Sequence, residues 1–192
     1  KEKFKYVINL AAQAGVRYSI TNPMSYINNN IIGFLNIIEF FRDKKPSHII
    51  TASTSSCYGA SNKFPLSEED PSNEPLQLYA VTKRTNELSA YAYSHLFNIP
   101  ITALRFFTVY GPWGRPDMAL FKFTKNILEN KEIDVYNNGN HIRDFTYIDD
   151  VVESITKLIN RIPKKSKNSN ARYRVVNIGG SNPITLKEFI KE

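Results

Sequence analysis

The chain's 192 residues are 42% hydrophobic and 22% charged, ordinary for a soluble globular protein and enough to bury a sizeable core. A single cysteine, Cys57, excludes an internal disulfide framework and fits a reducing compartment, and the lack of a membrane-length apolar run or a leader-like start predicts a cytoplasmic protein without membrane contact. The formal net charge of +7 does not predict a nucleic-acid partner: the basic residues are scattered, the densest cluster (Lys164, Lys165, Lys167) falls in a polar loop-like stretch, and no zinc-finger spacing or recognition-helix pattern accompanies it.

Strand-like and helix-like segments alternate along the chain, which predicts a parallel α/β sheet. Tyr6 to Leu10 reads as a short buried strand, followed by the small residues Ala11 and Ala12. Residues 25–41 read as a helix with Ile27, Ile31, Phe34, Ile38 and Phe41 on one side. A strand over 48–52 runs into the hydroxyl cluster Ser53, Thr54, Ser55 and Ser56. Pro65, Pro71 and Pro75 break residues 59–75 into loop. Next come a helix over 79–96, a strand over 100–106, and helices over 117–130 and 149–162. A strand over 173–178 ends at Gly179-Gly180, and a last helix starts at Thr185. No internal repeat is visible.

Tyr79 and Lys83 stand four apart at the start of a predicted helix, and positions i and i+4 share a face. An unperturbed tyrosine titrates near ~10, too high for a base at neutral pH. A neighbouring ammonium and hydrogen bonds to the phenolate bring it toward working pH. The pair therefore reads as a proton-transfer device for a substrate hydroxyl. The spacing alone also suits a surface pair on an amphipathic helix; what favours chemistry is the strand end with its hydroxyls just upstream. His48, His95 and His141 have no metal-ligand spacing, so no metal is predicted. Cys57 reads as packing, and Arg105, after a buried strand, either pairs structurally or serves the site.

Several segments together resemble the extended short-chain dehydrogenase/reductase family and, within it, the UDP-glucuronate 4-epimerases. They are Leu10-Ala11-Ala12-Gln13-Ala14-Gly15, Asn30-Ile31-Ile32-Gly33, Thr54-Ser55-Ser56-Cys57-Tyr58-Gly59, Tyr79-Ala80-Val81-Thr82-Lys83, residues 105–119 around Gly111-Pro112-Trp113-Gly114-Arg115-Pro116-Asp117-Met118, and Arg143-Asp144-Phe145-Thr146-Tyr147-Ile148-Asp149-Asp150. The resemblance implies a Rossmann-like, doubly wound parallel sheet, here partial, with a smaller substrate-binding region. It implies NAD as cofactor, a UDP-sugar as substrate and a homodimer. By position, Thr54, Tyr79 and Lys83 would be catalytic, with Tyr79 as base. Leu10, Ala11, Ala12, Gln13, Ala14, Asn30 and Phe107, with Tyr79 and Lys83, would contact the cofactor. Arg17, Ser55, Ser56, Thr108, Arg115, Tyr136 and Arg143 would contact the substrate.

The glycine-rich turn that receives a pyrophosphate in such folds is not among the chain's eight glycines. The expectation is therefore a fragment that lacks part of the nucleotide-binding sheet. Residues 1–107 would belong to that domain and 108–192 mostly to the substrate region, with about 146–162 returning to the first. Related 4,6-dehydratases carry Asp-Glu after the threonine, and related decarboxylases a Glu two residues after it. Ser55 and Ser56 stand here instead. That implies simple 4-epimerisation of a UDP-hexuronic acid. The other readings are epimerisation of another UDP-sugar, decarboxylation or dehydration, and a non-catalytic NAD-binding protein.

Overall fold

The computed structural model describes residues 3–61 and 63–192; the side chains of Tyr136 and Asn137 lie outside the described set. In chain order the elements are β1 (Tyr6–Asn9), α1 (Tyr18–Thr21), α2 (Pro23–Tyr26), a π-helical turn (Ile27–Ile32), α3 (Gly33–Arg42), β2 (His48–Thr54), a 3₁₀ turn (Ser55–Tyr58), α4 (Leu78–Phe97), β3 (Ile101–Phe106), β4 (Thr108–Tyr110), α5 (Ala119–Leu128), a 3₁₀ turn (Tyr136–Gly139), β5 (Ile142–Tyr147), α6 (Ile148–Ile159), β6 (Tyr173–Ile178), β7 (Pro183–Thr185) and α7 (Leu186–Lys191). They fall into two compact units, Lys1–Phe106 with Thr156–Asn177, and Phe107–Ile155 with Ile178–Glu192.

The first unit holds the sheet β1-β2-β3-β6, in which β1 pairs with β2 and β2 with β3, both in parallel. β2 is buried at every residue, as a strand covered on both faces must be, and this explains its unbroken apolar start. Helices α3 and α4 cover one face, where Phe34, Ile38 and Phe41 of α3 and Ala90 of α4 pack with Ile49, Ile99 and Ile101 in one cluster; on the other face His48 meets the Ile159 carbonyl at the end of α6. A parallel pair needs a crossover connection, and the β1–β2 and β2–β3 links are helical as expected. α4 stops at Asn98, which takes the left-handed conformation (φ 56°) that frees the chain for β3. Gly59, at φ 66°, ends the turn after β2; a Cβ there would sit 2.3 Å from the Glu74 carbonyl oxygen.

The predicted helix over 25–41 is not one uniform helix. A π-helical turn interrupts it at Ile27–Ile32, and the extra residue in that turn rotates the face, so Asn30 is buried. The strand predicted to end at Ala52 continues through Thr54.

His48 opens β2 wholly buried, with Nδ1 3.0 Å from the Ile159 carbonyl and Nε2 2.8 Å from Thr102 Oγ1. Thr102 Oγ1 also accepts from Arg174 Nε at 3.1 Å, so its own hydroxyl hydrogen is available for His48 Nε2. That assigns the neutral ring with its proton on Nδ1. A second ring proton would face the Thr102 oxygen in a buried setting beside Arg174 and Arg172; burial first, then these two charges, lower the His48 pKa, with the Ile159 bond opposing. The neutral form is therefore the folded form. The stability it contributes is complete above the unfolded value near ~6.5 and is lost as pH falls toward the folded value. We expect a melting temperature that declines from pH 7 to pH 5, and a shallower decline for His48→Gln. Equal slopes would refute the assignment.

The second unit carries β4, β5 and β7 in a small sheet, with β4–β5 parallel and β5–β7 antiparallel. None of these strands is predicted from the sequence. Asp144 on β5 accepts the N–H groups of Gly180 (2.9 Å) and Ser181 (3.0 Å), tying the turn before β7 to β5. α7 begins with a capping box between Thr185 and Glu188.

Candidate active site

In an open parallel sheet, ligands bind at the carboxyl ends of the strands. β1 and β2 both end beside residues singled out by sequence. After β1, Leu10 and Ala11 are exposed while Ala12, Gln13 and Ala14 are half-buried. The path of this segment is held by α2 and the π turn. Gln13 donates its N–H to Asn30 Oδ1 at 2.7 Å, and Asn30 Nδ2 donates back to the Gln13 carbonyl at 3.0 Å. Tyr26 reaches the carbonyls of Gly15 (2.5 Å) and Ala14 (3.0 Å). Arg17 is exposed at the start of α1.

β2 ends at Thr54. Its Oγ1 accepts the Ser56 N–H at 3.2 Å and lies 3.2 Å from Ser56 Oγ, so the threonine caps the 3₁₀ turn that contains Ser55 and Ser56. Both serines are half-buried. The first turn of α4 lies against this turn: Cys57 Sγ is 3.7 Å from the Ala80 carbonyl. Cys57 is fully buried, and burial above all pushes its thiol up to about 11, which suits packing rather than nucleophilic chemistry.

Tyr79 is half-buried in the first turn of α4, its ring 6.2 Å from that of Tyr26 and nearly perpendicular to it. Its carbonyl accepts from Thr82 Oγ1, which in turn accepts from Asn30 Nδ2. One chain of hydrogen bonds thus joins the segment after β1 to the turn carrying Tyr79. Lys83 is 3% exposed, and its Nζ donates to the Ala52 carbonyl at 2.9 Å. Burial lowers its pKa to about 8, so the ammonium is still the major form at neutral pH. An ammonium has three donors, and the Ala52 bond uses one.

Behind the turn lies a cluster that the sequence left open. Arg105 and Glu87 are both almost fully buried and meet through two parallel bonds, Nε to Oε1 and Nη2 to Oε2, each 2.8 Å. Glu87 also accepts from Ser53 Oγ (2.5 Å) and Arg84 Nη1 (2.8 Å). Arg105 reaches Ser72 Oγ (3.0 Å) and lies over the Tyr58 ring. Burial alone would raise the Glu87 pKa, but bonds from Arg105 and Ser53 outweigh it and lower it. Burial would likewise lower that of Arg105, and Glu87 outweighs it in the other direction. Of the two readings of Arg105, this is the structural pairing. Glu87 was missed altogether, although its place four residues after Lys83 puts it on the same helix face.

The remaining sequence-predicted residues lie on the second unit. Phe107 is half-buried between β3 and β4, its N–H on the Ile178 carbonyl at 3.0 Å. Thr108 starts β4. Arg115 is exposed and paired with Asp117. It rims a groove of about 620 Å³ between β4 and α5 that is lined also by Tyr110, Trp113, Phe121 and Lys125. Arg143 is exposed on β5, and its Nη1 turns to the neighbouring Ile142 carbonyl. Tyr136 begins a 3₁₀ turn, its side chain outside the described residues.

Among the described residues no cluster of His, Cys, Asp or Glu could hold a metal ion, and no helix is long and apolar enough to cross a membrane. A dinucleotide fits what is present. The buried Lys83 ammonium has donors to spare at the strand ends, and the exposed Leu10 and Ala11 follow a strand end that Asn30 and Tyr26 hold in place.

This is a Rossmann-like α/β fold with a Tyr/Lys pair at the carboxyl end of its parallel strands. The chain belongs to the NAD dependent epimerase/dehydratase family, whose pattern matches residues 1–179. It is 54% identical to Protein CapI of Staphylococcus aureus over 200 aligned residues, covering 99% of this chain and 60% of that protein. It is 50% identical to the probable UDP-glucuronate 4-epimerase of Rhizobium meliloti, covering 96% of this chain and 58% of that one. Its structure resembles that of UDP-glucuronic acid 4-epimerase from Bacillus cereus, solved with UDP-glucuronic acid and NAD, at a TM-score of 0.87 and 36% identity over 97% of this chain and 57% of that one. The chain thus spans about three fifths of the length of the curated relatives it matches.

Proposed function

We propose that the protein containing this chain interconverts UDP-glucuronate and UDP-galacturonate by NAD-dependent epimerisation at C4, through a transient 4-keto sugar. The observation that carries this reading is the buried Lys83 ammonium, anchored to Ala52 on the same helix face as Tyr79, beside a strand end that offers the hydroxyls of Thr54, Ser55 and Ser56. NAD, when bound, supplies the hydride acceptor and donor. Leu10 to Ala14, Asn30 and Lys83 would hold and orient it, and Phe107 would lie against it.

Tyr79 removes the proton from the sugar 4-hydroxyl and returns it to the 4-oxygen when the ketone is reduced. Lys83 favours the phenolate by its charge. Thr54 holds the 4-oxygen through a hydrogen bond, its hydroxyl already oriented by the Ser56 N–H. Ser55 and Ser56 would contact the sugar, and an arginine fork, from Arg17 or Arg115, suits the carboxylate because it makes two parallel bonds. Arg143 would hold the pyrophosphate, and Thr108 and Tyr136 would face the sugar and uridine.

Dehydration or decarboxylation by the related routes needs a carboxylate next to Thr54. The buried carboxylate near this turn is Glu87, and it is fully engaged by Arg105, Arg84 and Ser53. The test is product analysis by NMR for the intact protein with UDP-glucuronate and NAD. UDP-galacturonate without CO₂ is the expected outcome; UDP-xylose or an accumulating keto-sugar would overturn the reading. Pairing of two copies belongs to the same proposal and is read by light scattering.

A further inference from the structure

We propose that Glu87 is a positioning residue: held by Arg105, it latches helix α4 to the end of β2 and so sets Tyr79 and Lys83 in register with Thr54. The inference rests on the roles proposed above for those three residues.

The geometry is a two-point grip. Lys83 holds the carbonyl of Ala52 at 2.9 Å, and Glu87, one turn further along the same helix face, holds the hydroxyl of Ser53 at 2.5 Å. The next residue of β2 is Thr54, and Tyr79 lies one turn before Lys83. One polar grip fixes a single point of α4 on β2; two successive grips on successive strand residues also set the rotation of the helix on the strand. Arg105 completes the latch, because it stands directly opposite Ser53 in the β2–β3 register. Glu87 is therefore bound to two paired strands at once. The carboxylate receives four hydrogen bonds, from Arg105 Nε and Nη2, Ser53 Oγ and Arg84 Nη1, which fixes its rotamer. A buried pair of this kind contributes little net stability over an apolar pair of similar volume. Its return here is placement.

Two double variants of the intact protein separate placement from bulk stability. Glu87→Leu with Arg105→Met removes both charges and the acceptor for Ser53. Glu87→Gln with Arg105→Met removes both charges but leaves an amide oxygen to accept from Ser53. The proposal expects both to fold. It expects kcat to fall by about 10²-fold in the leucine variant, the cost of a misplacement on the order of 1 Å, with KM little changed. The glutamine variant should recover most of that loss. A second readout does not depend on turnover: the tyrosinate absorbance titration of Tyr79, taken as the difference from Tyr79→Phe. It should move in the leucine variant, as the turn carrying the phenol shifts against the Lys83 ammonium held at Ala52, and stay at the parent's position in the glutamine variant.

Equal kcat and equal titrations in the two variants would overturn the latch. So would a leucine variant that fails to fold while the glutamine variant folds, since the bond to Ser53 would then be a stability element. A parent inactive on every UDP-hexuronate tried would sink the functional reading alone, and the titration would still decide the latch.

Discussion

Tyr79→Phe is expected to lower kcat by about 10²–10⁴-fold, the range that a positioned general base contributes. The substitution removes one oxygen and keeps the ring. The edge-to-face contact with Tyr26, 6.2 Å between centroids, survives, and so does the bond from Thr82 to the residue-79 carbonyl, which is a backbone group. The bonds from Tyr26 to Gly15 and from Asn30 to Gln13, which anchor the segment after β1, do not involve the Tyr79 oxygen. NAD should therefore bind within about threefold of the parent's affinity, a change of well under 1 kcal/mol. Stopped or steady-state assays with UDP-glucuronate, beside a cofactor titration, measure both quantities. Turnover within tenfold of the parent would remove Tyr79 from the role of base, and lost cofactor binding would show that the phenol serves the cofactor instead.

Arg105→Met alone is expected to destabilise the fold by about 3–5 kcal/mol, toward the lower end, because it strands the Glu87 carboxylate. Glu87 is 1% exposed and would keep only Ser53 and Arg84, the latter with a quarter of its side chain in water. Set against a typical total of about 5–15 kcal/mol, this is a large loss. Thermal melting should register it as a drop of roughly 6–20 °C. The paired change of Glu87 and Arg105 to apolar residues should melt much closer to the parent, since no buried charge is left unmatched. A single variant as stable as the parent would mean that water or a rearranged Arg84 reaches Glu87.

Where the sequence read well, the signal was local. The apolar start of β2, the amphipathic α3 and the long α4 each announce themselves within one window, because burial on one face imposes a period on neighbouring residues. Tyr79 and Lys83 were legible for the same reason: their relation is a helix spacing. β4, β5 and β7 were not legible. β4 and β7 have three residues each, too few for a period, and β5, six residues without an apolar run, exists as a strand through partners as distant as Asp144 and Pro183. The π turn was hidden as well, because one inserted residue leaves the apolar pattern of 25–41 nearly intact while turning Asn30 inward.

Composition, the alternation of strand and helix, and the hydroxyl cluster ahead of a Tyr/Lys helix were thus decided by the amino-acid sequence alone, since each depends on residues within a turn or a strand of one another. The pairing of Arg105 with Glu87, eighteen residues apart, was decided only by the tertiary structure. β3 brings the guanidinium opposite Ser53, α4 brings the carboxylate down onto both, and only the packed sheet excludes the water that would otherwise hold the two charges apart.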